Sequence, residues 1–201
     1  MTIAEQIRQR IEAIPTGEPF TTASLLTLGT RASVDQNLRR LARSGHIASV
    51  GRGVYVRPRM SRYVGAVMPE PYKVAEAIAR STGATIQVHG AEAARQFGLT
   101  TQVPTQPVYL TTGPSRRIKM GKLEVTLKHT TPRKLALSGR PGVALAALRH
   151  LGKREVTPTI IEAIRRKLEP SEFERLREAT GVMPAWLSDR FHHHRQVYGL
   201  A

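Results

Sequence analysis

Arg31-Ala-Ser-Val-Asp-Gln-Asn-Leu-Arg-Arg-Leu-Ala-Arg43, then Ser44-Gly45, then His46-Ile-Ala-Ser-Val-Gly-Arg-Gly-Val-Tyr-Val-Arg57, is the stretch that decides the fold. Val34, Leu38 and Leu41 recur at i, i+4 and i+7, which predicts one apolar face of a helix. Ser33, Gln36, Arg40 and Arg43 fall on the opposite face, with Arg39 at its edge. Gly45 can take the left-handed position that ends a helix. Residues 46–50 and 54–56 predict two short strands around Gly51-Arg52-Gly53, a hairpin with one Arg at its tip. Upstream, Ile3, Ile7, Ile11 and Ile14 form a stripe at helical spacing, and Phe20-Thr-Thr-Ala-Ser-Leu-Leu26 predicts a second helix capped by Thr. Three helices followed by a basic hairpin describe a winged helix-turn-helix, whose recognition helix enters the major groove of DNA.

The charge supports that reading. Residues 1–65 hold ten Arg and no Lys against four acids. The guanidinium is a planar fork that fits phosphate oxygens and the guanine edge. The whole chain of 201 residues carries 31 Lys and Arg against 15 Asp and Glu, a net charge of +16 that attracts polyanions. No apolar run is long enough to span a bilayer. The N-terminus leads into the first helix without a signal-peptide pattern, and the absence of Cys excludes disulfides and thiolate metal sites. Together these predict a cytoplasmic protein.

Beyond the wing, residues 60–71 read as a connector punctuated by Gly65, Pro69 and Pro71. A helix over 72–81, strands over 84–89 and 107–112, a small-residue helix over 90–97 and a hairpin over 118–129 predict a mixed α+β region. From Pro141 the pattern is helical: 142–151, then 158–168 capped by Thr157 with Pro158 at the first position, then a helix opened by a capping box at Ser171 and Glu174, then 184–194. The expected fold class is therefore α+β, with a winged helix-turn-helix over 1–62, a mixed domain over 63–140 and a helical region over 141–201.

A second basic cluster, Arg116, Arg117, Lys119, Lys122, Lys128, Arg133, Lys134 and Arg140, is opposed within 114–140 only by Glu124. It could extend a footprint along phosphates, hold an acidic partner, or simply face solvent, as hairpin charges commonly do. The expected DNA-contacting residues are Arg31, Ser33, Gln36, Arg39, Arg40, Arg43, Arg52, Arg57, Arg116, Arg117, Lys119 and Lys122. Gln36 and Arg40 are assigned to base edges. Arg31, Arg39 and Arg43 are assigned mainly to phosphates, and Arg52 to a minor groove or the flanking backbone.

Signs of catalysis are thin. The chain has two Asp, Asp35 and Asp189. It has no Gly-rich phosphate loop, no His-Glu-x-x-His motif and no nucleophile elbow. His192-His193-His194 are consecutive, so they point in different directions around a helix, unlike ligands at i and i+4; they read as a solvated or phosphate-facing helix end. His89 reads as a hydrogen-bonded His at a strand end. Trp186 and Phe191 read as core, and aromatic residues at 5% of the chain leave little for base stacking, which favours duplex DNA over single strands. Neither a cofactor, a metal nor a catalytic residue is expected.

Arg52-Gly-Val-Tyr-Val-Arg-Pro58 resembles the "RGVY" wing of AbiEi-type antitoxins. His89-Gly-Ala-Glu-Ala-Ala-Arg-Gln-Phe-Gly-Leu-Thr-Thr-Gln-Val-Pro104 is similar to the core of the domain that follows the wing in that family. The resemblance runs from about Met1 to Leu137. It implies an antitoxin of a type IV toxin–antitoxin or abortive-infection system that represses its own promoter, and a neighbouring nucleotidyltransferase-like toxin that it counteracts. The other class of function left open is a winged-helix protein-interaction module.

Overall fold

Thr2 opens the chain's first helix: its hydroxyl accepts from Glu5 N–H while the Glu5 carboxylate accepts from Thr2 N–H, a reciprocal cap. In the computed structural model, which describes residues 1–62 and 65–199, α1 (Ile3–Glu12) leads to β1 (Pro19–Thr21), a 3-10 helix (Thr22–Leu28) and α2 (Arg31–Arg43). Thr30 caps α2 by accepting from Ser33 N–H. Ser44 and Gly45 end it, Gly45 at φ +74. β2 (Ala48–Gly51) and β3 (Val54–Val56) form the wing, and β1 completes a three-stranded antiparallel sheet in the order β1-β3-β2. Ile7, Ile11, Phe20, Leu25, Val34, Leu38 and Ile47 pack as one buried cluster. Burying each such side chain contributes about 1.5–3 kcal/mol. The fold is α+β and begins with a winged helix-turn-helix.

The remaining elements are β4 (Arg59–Ser61), β5 (Gly65–Val67), α3 (Pro71–Ser81), β6 (Ile86–Val88), α4 (Gly90–Gln96), β7 (Val108–Thr111), β8 (Arg116–Met120), β9 (Leu123–His129), a 3-10 turn (Pro132–Leu135), α5 (Gly139–Glu155), α6 (Pro158–Arg165), α7 (Pro170–Glu178), a 3-10 turn (Ala179–Val182) and α8 (Ala185–Tyr198). They fall into two compact units. The first holds Met1–Thr85 and Gly113–Leu127; the second holds Ile86–Thr112 and Lys128–Ala201.

In the first unit, α3 packs on β1, and the β8–β9 hairpin packs on β2. The hairpin runs from Arg116 opposite Leu127 to Met120 opposite Leu123, closed by Gly121 at φ +62 and Lys122. In the second unit, β6 pairs antiparallel with β7, and α4 lies against α5 so closely that a Cβ on Gly90 would sit 2.8 Å from the Ala146 carbonyl. Its core joins Ala93, Ala94 and Phe97 of α4 to Leu145 and Leu148 of α5, Ile161 and Ile164 of α6, Leu176 of α7 and Leu187 and Phe191 of α8. Trp186 packs partly buried against it.

Several local expectations shift. The second helix of the winged unit is 3-10, capped by Thr21 as its hydroxyl accepts from Ser24 N–H. The stretch after the wing contains an antiparallel pair, Arg59 opposite Val67 through Ser61 opposite Gly65, where a connector was expected; the loop between them includes residues outside the described set. Gly152, at φ 78, breaks α5 where a helix end was expected. The capping box of α7 forms at Glu169 and Glu172, with Pro170 at the first helical position, in place of Ser171 and Glu174. Most consequentially, the expected boundaries at 62 and 140 do not coincide with the compact units. The 116–127 hairpin belongs with the winged helix because its apolar edge packs there.

Candidate nucleic-acid interface

All twelve residues expected to contact DNA lie in the first unit. On α2, Val34 and Leu38 are fully buried and Leu41 is half-buried, so the helix is anchored by the face the periodicity predicted. Gln36, Arg39, Arg40 and Arg43 are exposed, and Ser33 is half-buried. At about 100° per residue these five span a sector of roughly 120°. It carries three guanidiniums, a carboxamide and a hydroxyl, and no acid. Arg31 is different. It lies five residues from Gln36, about 140° around the helix, and its Nε donates to Asp35 Oδ2 at 3.0 Å. That exposed pair contributes little stability, but it directs the Arg31 guanidinium toward the flank of the helix.

The wing is held from behind. Arg116 donates from Nη2 to the carbonyl of Arg52, and Ile118 sits where a Cβ on Gly51 would be, 2.4 Å from its Cγ2. The absent side chain at Gly51 therefore serves internal packing, while Gly53, at φ 72, makes the turn. The Arg52 side chain itself is exposed. Because the hairpin is fixed to the wing, its outward residues accompany Arg52. Arg117, Lys119 and Lys122 are exposed, while Ile118 and Met120 alternate inward. Glu124 lies across the ladder from Lys119 and 3.9 Å from Arg117, which partly offsets the charge of this face.

Two of the twelve have structural duties. Arg116 is the strut just described. Arg57 donates from Nη1 to the carbonyls of Glu12 at 2.8 Å and Ile14 at 2.9 Å, tying the end of β3 to the end of α1. Replacing Arg57 with alanine is expected to lower stability by about 1.5–3 kcal/mol, the range for hydrogen bonds to a charged group, read from urea unfolding. Duplex affinity of the folded variant should stay within twofold. A large affinity loss at unchanged stability would make Arg57 a phosphate contact instead.

Outside this unit, the three consecutive histidines divide. His192 and His193 are exposed, but His194 is buried and places Nε2 3.2 Å from Glu162 Oε2. The solvated reading of the run fails at His194 because α8 turns that position toward α6. His89 caps α4, accepting from Ala91 N–H through Nδ1. Among the described residues, no group of three or more His, Asp or Glu is placed to hold a metal ion, and no helix is long and apolar enough to cross a membrane.

Residues 6–176 match the family described as "Family of unknown function (DUF6088)". The chain belongs to the DUF6088 family. No curated protein matches it. Among solved structures, the RV2827C protein from Mycobacterium tuberculosis is similar over 96% of this chain and 74% of its own, at 16% sequence identity and a TM-score of 0.47.

Proposed function

We propose that this DUF6088 protein is a duplex-DNA-binding transcriptional repressor that acts as the antitoxin of a type IV toxin–antitoxin system. The observation that carries the DNA-binding part is the exposed sector of α2, where Gln36, Arg39, Arg40 and Arg43 stand opposite a fully buried Val34 and Leu38. Gln can pair with the adenine edge and Arg with the guanine edge, while neighbouring guanidiniums engage phosphates. The exposed Arg52, Arg117, Lys119 and Lys122 supply further cations on the braced wing and hairpin. The net charge of +16 favours encounter with any polyanion. The antitoxin role is supported by the resemblance of residues 52–58 and 89–104 to AbiEi-type antitoxins. It places the protein in the cytoplasm beside a nucleotidyltransferase-like toxin, and has it act by binding, without catalysis.

The deciding experiment titrates the full chain with its own promoter fragment and with random duplex at several salt concentrations. Tighter binding to the promoter, with log K falling by about 0.9 per contacted phosphate for each decade of salt, is the expected result. Absence of duplex binding at low salt would leave the winged helix as a protein-docking module. For the antitoxin role, the full chain is co-expressed with the product of the adjacent gene, and growth must be restored. Continued arrest would remove that role and leave the repressor reading standing.

A further inference from the structure

A cavity of about 270 Å³ lies wholly within the second unit. Six basic side chains line it: His89 ahead of α4, Lys128 and His129 at the end of β9, Lys134 in the 3-10 turn, and Arg149 and His150 on α5. They come from four separate elements, so the convergence is a product of tertiary packing and not of one charged segment. Among the described residues, no carboxylate lines the cavity. Apolar contact comes from Leu110 and Ala146, and neutral polar groups from the buried Gln87 and Thr130. A concave site with an apolar floor and a few converging polar groups is the usual form of a small-ligand pocket.

The most buried of these charges is held in place. Arg149 donates from Nη1 to the Lys134 carbonyl at 2.9 Å and from Nη2 to the Val182 carbonyl, so a half-buried guanidinium is fixed at the wall by backbone groups, and among the described residues no carboxylate pairs with it. The His89 ring lies 5.9 Å from that of His150. Because His89 Nδ1 accepts from Ala91 N–H, the neutral ring carries its proton on Nε2, leaving one N–H to donate. Burial, then His150 and Lys128, depress the His89 pKa below its ordinary value, which registers the positive field of the cavity at that ring. Like charges gathered in a concavity repel one another, and an anion with several acceptor oxygens relieves that repulsion while satisfying the donors.

We propose that this cavity binds a phosphate group, as inorganic phosphate or as a small phosphomonoester. The site is independent of the DNA-binding reading, since every residue that forms it lies outside the winged unit.

The test is calorimetric titration of the full chain with inorganic phosphate and, separately, with a nucleoside monophosphate, at constant ionic strength set by chloride. Saturable binding at about one site is expected with at least one of them. Preference for the monophosphate would point to an organic ligand, and equal affinity to the bare anion. Lys128→Gln combined with His150→Gln should weaken binding at least tenfold, and both side chains are exposed, so the fold should survive. Arg40→Ala, on the DNA-facing helix, should leave phosphate affinity unchanged. Should the double variant unfold, single Lys128→Gln and perturbation of the His89 and His150 ring resonances by phosphate serve in its place. No saturable binding, full affinity in the Lys128 variants, or equal loss in Arg40→Ala would overturn the proposal.

Discussion

Replacing Arg39, Arg40 and Arg43 together with alanine is expected to weaken promoter binding by about 100-fold or more while leaving the protein folded. All three side chains are exposed on α2, and the residues that anchor the helix, Val34 and Leu38, are untouched. A base-reading Arg is worth about 1–3 kcal/mol, and each lost phosphate contact makes the salt dependence shallower by about 0.9. A combined loss of about 3 kcal/mol is a factor of roughly 150. The helix itself loses only two favourable charges near its C-terminus, about 0.3–1 kcal/mol each. Fluorescence anisotropy with promoter and random duplexes measures the effect. The single variant Arg40→Ala separates the roles: if it lowers promoter affinity and spares random duplex, Arg40 reads a base. Unchanged promoter affinity in the triple variant would remove α2 from the interface.

Glu162→Ala is expected to destabilise the protein clearly. The Glu162 carboxylate is buried on α6, accepts from Arg165 Nε and Nη2 at 2.8 Å each and from Arg166 Nε at 3.2 Å, and meets His194 Nε2 at 3.2 Å. The Arg165 hydrogen bonds, assisted by His194 and Arg166 and opposed by burial, lower its pKa from 4.5 to about 2. Removing the carboxylate leaves the buried His194 without its acceptor, a change of about 1–3 kcal/mol. For a protein of this size that is roughly 2–12 °C in Tm. The pH dependence has a defined sign. A carboxyl whose pKa is depressed on folding contributes stability that is complete above 4.5 and is lost as pH falls toward 2. Glu162→Gln should remove that part of the acid limb while keeping the side-chain volume. Urea unfolding from pH 7 to 2.5 reads both effects, and an unchanged acid limb in Glu162→Gln would show that the carboxyl is not held so low.

Much of the exposed face of α2 could be read from periodicity, because one buried face at 3.6-residue spacing fixes which residues are left outside. Thr157 and Gly45 are local signals of the same kind, and the structure keeps them. What could not be read depends on residues distant in sequence. Ile118 fills the notch at Gly51, and Arg57 spans to the carbonyls of Glu12 and Ile14. No local pattern distinguishes these from a solvent-facing hairpin or a phosphate-binding Arg. His194 shows the same limit: only the return of α8 onto α6 brings Glu162 to it. The pairing of Arg59–Ser61 with Gly65–Val67 involves three residues a side, too few for alternation to stand out. At α7, Pro170 fixes the first helical position and moves the cap to Glu169, overriding the better-known Ser signal two residues on.

The route of the chain through its two units has a consequence for how the protein is made and cut. The winged unit takes its first 85 residues and then needs 113–127, which are translated only after the second unit has begun. Thr85 and Ile118 are 33 residues apart, roughly 2–7 s of ribosomal synthesis at 5–20 residues per second. For that interval the nascent wing carries an unfilled notch at Gly51 and lacks the Arg116 brace. A fragment ending at Gly65 or Thr85 keeps that gap permanently. No single scission separates the units intact, so inheritance of one without the other would require an insertion or a circular permutation, not a simple domain fusion.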